Sequence, residues 1–191
     1  MGNLLAIYKR DLKGYFFSPI AYVVIGLFLL VNGIFFYVLL SSFLEYSYAV
    51  MIQRQGYPIN VNLLMIRPFF QNMSVIVLFV IPMITMRSFS EEKKSGTMEL
   101  LLTSPVTNWQ LILGKFLASF TLYFVMVMVT FLFMVFLLIW GNPSLVPILI
   151  SYLGILLMGL VLVALGNFIS SLTENQIVAA VGTFGATMFL W

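Results

Sequence analysis

Apolar runs of bilayer length alternate with short polar stretches along almost the whole chain. They fall at about 20–40, 68–86, 116–139 and 147–169, each near the roughly 20 residues that a helix needs to cross a hydrocarbon core. A further run, 177–191, stops with the chain and has no polar stretch behind it, so it is expected to be an incomplete fifth span. Ahead of the first run, Asn3 to Phe17 follows a helical rather than a continuous pattern. At ~100° per residue, Leu4, Leu5, Tyr8, Leu12, Tyr15 and Phe16 share one face and Lys9, Arg10 and Lys13 another. That pattern predicts an interfacial helix lying on the inner leaflet with its basic face toward phosphates; the competing reading is a frayed, charged start of the first span. Ser18-Pro19 ends it, because a residue before proline disfavours the α region. No small-x-small cleavage site follows, so the segment is not read as a signal peptide.

The connections are as telling as the runs. Ser41 to Arg67 predicts a polar-aromatic outer loop, with room for a short helix along the outer surface and with Tyr46, Tyr48 and Tyr57 suited to headgroup depth. Pro82, near the end of the second run, should kink it by removing one backbone donor. Asn32 in the first run predicts an interhelical hydrogen bond, and Gly154, Gly159 and Gly166 in the fourth are spaced for close helix contact. Trp140-Gly141-Asn142-Pro143 is a turn, and Ser170 to Gln176 a tight polar loop holding Glu174.

Composition fixes the solvent. Apolar residues make up 62% of the chain and charged residues 8%, with a mean hydropathy of +1.11. Too few charges remain to cover a water-facing surface, so an all-α, polytopic membrane bundle is expected. With the N-terminus inside, Lys9, Arg10, Lys13, Arg87, Lys93, Lys94 and Lys115 are cytoplasmic, and only Arg54 and Arg67 lie outside, a clear positive-inside bias. The basic residues therefore orient the chain in the cytoplasmic membrane, and no nucleic-acid partner is expected. There is no cysteine and no histidine, which removes thiolate chemistry, disulfides and the commonest metal ligand and general base. The spans as drawn hold no Asp, Glu, Lys or Arg, unlike ion-coupled carriers. Asp11 is the only aspartate, and an intramembrane protease has no Ser–His pair to use.

One polar island remains, Arg87 to Lys115, holding seven of the chain's nine basic and six acidic residues. The second helix is expected to run on to Lys94, with its lysines at the end the macrodipole favours. Gly96 should stop it in the left-handed conformation. Thr97 then caps a short helix, Met98 to Leu102, with Glu99 in its first turn; Pro105 ends it. Thr107-Asn108-Trp109-Gln110 is a capping box for the third span. Glu91-Glu92 reads as a solvated, salt-bridged helix end rather than a catalytic carboxylate pair, since adjacent helical residues diverge. Leu113-Gly114-Lys115 is no P-loop, because Trp109 and Phe116 occupy the positions of its first glycine and final hydroxyl. A leucine-rich helix on the cytosolic side needs a cover: the inner leaflet, the chain's own helices, or a groove on a soluble partner.

The stretch Glu91-Glu92-Lys93-Lys94-Ser95-Gly96-Thr97-Met98-Glu99-Leu100-Leu101-Leu102-Thr103-Ser104-Pro105-Val106, followed by Trp109 and Gly114-Lys115, resembles the signature of type-2 ABC exporter permeases. The N-terminal Tyr15-Phe16-Phe17-Ser18-Pro19, with Asn32-Gly33 and Phe35-Phe36, is similar to the gliding-motility-associated branch. Ile169 to Gln176 also fits the family.

The resemblance implies six spans per subunit, of which this sequence supplies four and most of a fifth. It implies two permease subunits, as a homo- or heterodimer among membrane lipids, each resting on a separate ABC ATP-binding subunit that holds ATP and magnesium. This chain itself would carry no cofactor and no catalytic residue. A coupling helix between spans two and three would enter a groove on the ATPase. That carry-over puts Glu91, Glu92, Gly96, Thr97, Glu99, Leu100, Leu101 and Leu102 at the interface. The competing expectation is a membrane anchor that recruits a cytosolic ATPase without moving substrate.

Overall fold

The structure is a computed structural model that describes residues 2–52, 60–99, 106–141 and 143–191. The expectations for Arg54, Tyr57, Leu100, Leu101, Leu102, Pro105 and Asn142 fall outside the described residues.

Helices account for nearly all of the described chain, and no strand forms among the described residues. α1 spans Gly2–Phe17 and α2 Pro19–Ile52. They meet at a corner where Ser18 N–H donates to the Tyr15 carbonyl and the Ser18 carbonyl accepts from Ala21. Pro19 opens α2, a position where its missing donor costs nothing. A π-helical turn, Asn62–Ile66, leads into α3, Arg67–Thr85. α4 is the five-residue Ser90–Lys94, α5 is Asn108–Val129, α6 Phe131–Gly141, α7 Leu145–Leu172 and α8 Gln176–Leu190. Among the described residues, four stretches are long and apolar enough to cross a membrane: Ala21–Ile52, Asn62–Lys94, Asn108–Gly141 and Leu145–Leu172.

α3 is the central element. The most apolar window of its stretch is 61% buried, against 22% for that of α2. Phe69, Met73, Val77, Ile81 and Ile84, spaced three or four apart, are all buried, and α2, α7 and α8 pack around them. At one end, Phe36 of α2 stacks on Phe133 of α6 at 5.3 Å and meets Phe69 of α3 edge-on at 6.0 Å. Quadrupolar rings favour both arrangements.

Two of the three spaced glycines of α7 make the close contacts expected of them. A Cβ on Gly159 would overlap the Tyr123 ring, and one on Gly166 would overlap the Thr85 side chain. The Tyr123 hydroxyl, seated over Gly159, donates to the Ile155 carbonyl at 2.7 Å. Gly154 faces open space. Asn32 also departs from expectation. Its amide donates to the Phe28 carbonyl one turn back in α2, at 2.8 Å, so it bonds its own helix and not a neighbour. Thr130 does likewise, donating to the Val127 carbonyl at 2.6 Å. Such back-bonding competes with the helix ladder, and the chain turns there between α5 and α6.

Two boundaries are corrected. The expected loop from Ser41 is helical as far as Ile52, because Ser41 and Ser42 donate to the Tyr37 and Val38 carbonyls, each at 3.0 Å. Those hydroxyls need no water and do not interrupt α2. The second helix does not run unbroken to Lys94. It passes through Pro82, ends at Thr85, turns over Met86–Phe89 and restarts as α4.

Candidate functional site

The island is folded onto the bundle by contacts from three other helices. At the turn after α3, the Ser170 hydroxyl of α7 accepts from the Phe89 and Ser90 amides at 3.1 and 3.2 Å and lies 3.2 Å from the Met86 carbonyl, to which it donates. Ser90 also donates to the Met86 carbonyl. These groups take over the partners a continuous helix would have used, which is why the helix breaks where the sequence pattern ran on. Lys93 donates to the Ser171 carbonyl at 2.5 Å, tying α4 to the same end of α7.

Below this turn, four charged side chains form a closed ring of alternating sign. Arg10 of α1 meets Asp11 at 2.7 Å and Glu92 of α4 at 2.6 Å. Lys115 of α5 meets Asp11 at 3.2 Å and Glu92 at 2.8 Å. Lys115 is 3% exposed. It also donates to the Ser88 carbonyl at 2.6 Å and lies 5.1 Å from the centre of the Phe89 ring. Its ammonium therefore meets oxygens on several sides, the condition under which a buried cation is tolerated. Burial alone would lower the Arg10 pKa. The hydrogen bond to Asp11 and the field of Glu92 outweigh it and raise the guanidinium above its ordinary value.

α1 lies along the first turns of α5. The contact face centres on Ile7 and Asp11 rather than on Leu5, which is exposed. Ile7 fits over Gly114, where a Cβ would approach its Cγ2 to 2.8 Å. Tyr8 bonds Thr121 at 3.1 Å, and Tyr15 donates to the Ile84 carbonyl at 3.1 Å beside Ser119. Burial pushes the Tyr15 hydroxyl up to about 12, against the lowering effect of the Ser119 hydrogen bond, so it stays a neutral donor.

The sequence-derived site residues separate into two groups. Glu92 belongs to the ring. Glu91, Gly96, Thr97 and Glu99 are exposed, as are Lys94 and Ser95. Gly96 takes φ +71°, the left-handed stop expected of it. Thr97 lies within the new helical turn rather than capping it, and its hydroxyl turns back to the Glu92 carbonyl at 3.3 Å. Met98 packs on a small cluster of Ile7, Phe89 and Leu111, so part of the segment's apolar surface is covered by the chain itself. Leu100, Leu101 and Leu102 lie outside the described residues. Arg10, Asp11, Lys115 and Ser170 were not singled out from the sequence as site residues. A lone aspartate between basic residues, and a lysine two turns inside an apolar helix, were the available signals.

Among the described residues no group of three His, Cys, Asp or Glu is placed to hold a metal ion. The arrangement is an exposed rim carried on a base that joins α1, α4, α5 and α7.

The comparisons with known proteins bear on this arrangement. Residues 61–191 match the model of the family described as ABC-2 family transporter protein. The chain is also similar to the probable multidrug ABC transporter permease YbhR of Escherichia coli K12, with 32% identity over 105 residues, covering 53% of this chain and 27% of that protein. The YbhR of Escherichia coli O157:H7 matches to the same extent. The chain thus spans little more than a quarter of the length of these relatives. No solved structure matches it. With the family model covering more than half of the chain, and four membrane-length helices carrying the island between the second and third, the chain belongs to the ABC-2 family of transporter proteins and is a membrane permease component.

Proposed function

We propose that the chain is the membrane-spanning subunit of an ATP-driven exporter and that Glu91 to Leu102 docks on a separate ABC ATP-binding subunit, which holds the ATP and magnesium. The observation that carries this reading is the ring Arg10–Asp11–Lys115–Glu92. It fixes α4 to the middle of α1 and the foot of α5, while Lys94, Gly96, Thr97 and Glu99 are exposed just beyond it. A charged rim around the apolar stretch Leu100 to Leu102 suits a groove on a partner. Closure of the ATPases on ATP would displace the rim, and the ring would carry that displacement into three helices at once.

On this reading the chain is not itself an enzyme. It lies in the cytoplasmic membrane with its N-terminus and island inside, α1 rests at the inner leaflet, and a second permease chain completes the path. The name of the Escherichia coli relatives, probable multidrug ABC transporter permease, makes drugs the first substrate class to assay.

The test is co-purification of the full-length permease with its ATP-binding partner, comparing wild type with Glu99→Arg. Loss of association and of ATP-driven transport is expected; both unchanged would overturn the docking role. If the pair associates but hydrolysis never responds to any transported compound, the anchoring alternative takes its place.

A further inference from the structure

A cavity of about 410 Å³ opens beside the charge ring, between the α1–α2 corner, the end of α3, α4 and α5. Its volume lies in the range of small-molecule sites, roughly 300–1,000 Å³. Its lining has two characters. One side carries the ring together with Arg87 and Glu91, and the other is apolar, with Val24, Met83 and Leu122.

The ring residues neutralise one another. Arg87 and Glu91 are not in the ring, and neither takes part in an ion pair among the described residues. The Arg87 Nε is buried and has no hydrogen-bond partner. A desolvated guanidinium nitrogen with no acceptor is costly, and the half-buried Arg87 has room in this lining for an acceptor that the chain does not supply. Guanidinium geometry suits the oxygens of a phosphate. Glu91 lines the same cavity four residues on, and its exposed carboxylate suits a cation. The site therefore offers one free positive and one free negative group beside an apolar wall.

We propose that this cavity binds the phosphoethanolamine headgroup of a membrane lipid, with the phosphate on Arg87, the ammonium on Glu91, and the glycerol and first methylenes against Val24, Met83 and Leu122. A purely anionic lipid would satisfy Arg87 and be repelled by Glu91. A choline headgroup would present no N–H to the carboxylate.

The test is native mass spectrometry of the full-length permease in detergent, titrated separately with dioleoyl phosphatidylethanolamine, phosphatidylglycerol and phosphatidylcholine. Water-soluble glycerophosphoethanolamine serves as the lipid-free headgroup. One phosphatidylethanolamine per chain is expected, held about tenfold more tightly than phosphatidylglycerol, with Arg87→Gln weakening it about tenfold. Because Arg87→Gln also alters a partly buried site, Glu91→Gln on the exposed residue gives a separate readout. It should leave the melting temperature unchanged and remove the preference for phosphatidylethanolamine over phosphatidylglycerol.

Phosphatidylglycerol or phosphatidylcholine binding wild type as tightly as phosphatidylethanolamine, or an unchanged preference in Glu91→Gln, overturns the proposal. Glycerophosphoethanolamine binding as tightly as the lipid overturns the assignment to a membrane component. The measurement uses no ATPase, so a negative result leaves the exporter reading intact.

Discussion

The Lys115 ammonium lies 2.8 Å from the Glu92 carboxylate, joining the foot of α5 to a helix only five residues long. Removing one member of a buried pair strands the other and costs about 3–5 kcal/mol. Lys115→Met is therefore expected to destabilise the permease by about 3 kcal/mol, read as a lowered unfolding midpoint in detergent. Glu92→Gln added to Lys115→Met should recover part of that loss, a non-additivity that a double-mutant cycle measures. Arg10, 46% exposed, behaves differently. Arg10→Ala should cost less than about 1 kcal/mol because water screens its pairs.

Ser170 supplies the acceptor for two backbone amides in another part of the chain. Ser170→Ala leaves both without it, at about 1–3 kcal/mol for a buried unsatisfied group. Hydrogen exchange at the Phe89 and Ser90 amides should accelerate, while exchange in the middle of α3 stays slow. Unchanged exchange at both amides would mean that the turn holds itself.

Gly159 makes room for the Tyr123 ring. Gly159→Ala is expected to cost about 1–3 kcal/mol through overpacking, and Tyr123→Leu in the same chain should recover much of it. Gly154→Ala, in open space, should stay within about 0.5 kcal/mol of wild type. Thermal unfolding of the set separates close helix packing from a general aversion to alanine.

Gly96 holds the turn after α4 at φ +71°. Gly96→Ala is expected to cost about 1 kcal/mol, and Gly96→Asn less, since asparagine tolerates that conformation. The measurement is the unfolding midpoint. If Gly96 also sets the direction of the docking segment, the affinity for the ATP-binding subunit should fall in the same order.

Much of this architecture was legible in the chain. The apolar runs located the membrane-length helices, and Gly96 announced its own backbone conformation. Gln110 announced its bond to the Thr107 amide, seen at 3.3 Å. Each depends on neighbours within a few residues.

What the sequence hid depends on distant partners. The break after Thr85 is held by Ser170, and the ring needs residues 11, 92 and 115 to converge. No local pattern encodes either. The extension of α2 was missed for the opposite reason. Ser41 and Ser42 looked like loop residues, yet their hydroxyls bond within the helix itself.

The length of α2 has a consequence of its own. Its 34 residues at a rise of ~1.5 Å make a rod about 51 Å long, while a bilayer's hydrocarbon layer is about 30 Å thick. Set upright from the Ser18 corner, the rod carries Glu45 about 39 Å along its axis, well clear of the lipid tails, and the last two turns stand in water. Tilting would draw Glu45 back toward hydrocarbon, so this carboxylate limits how far the rod can lean. Thicker membranes tighten that limit, and thinner ones relax it while leaving more of an upright rod unsheltered. α2 thus makes the protein responsive to the thickness of the bilayer that houses it.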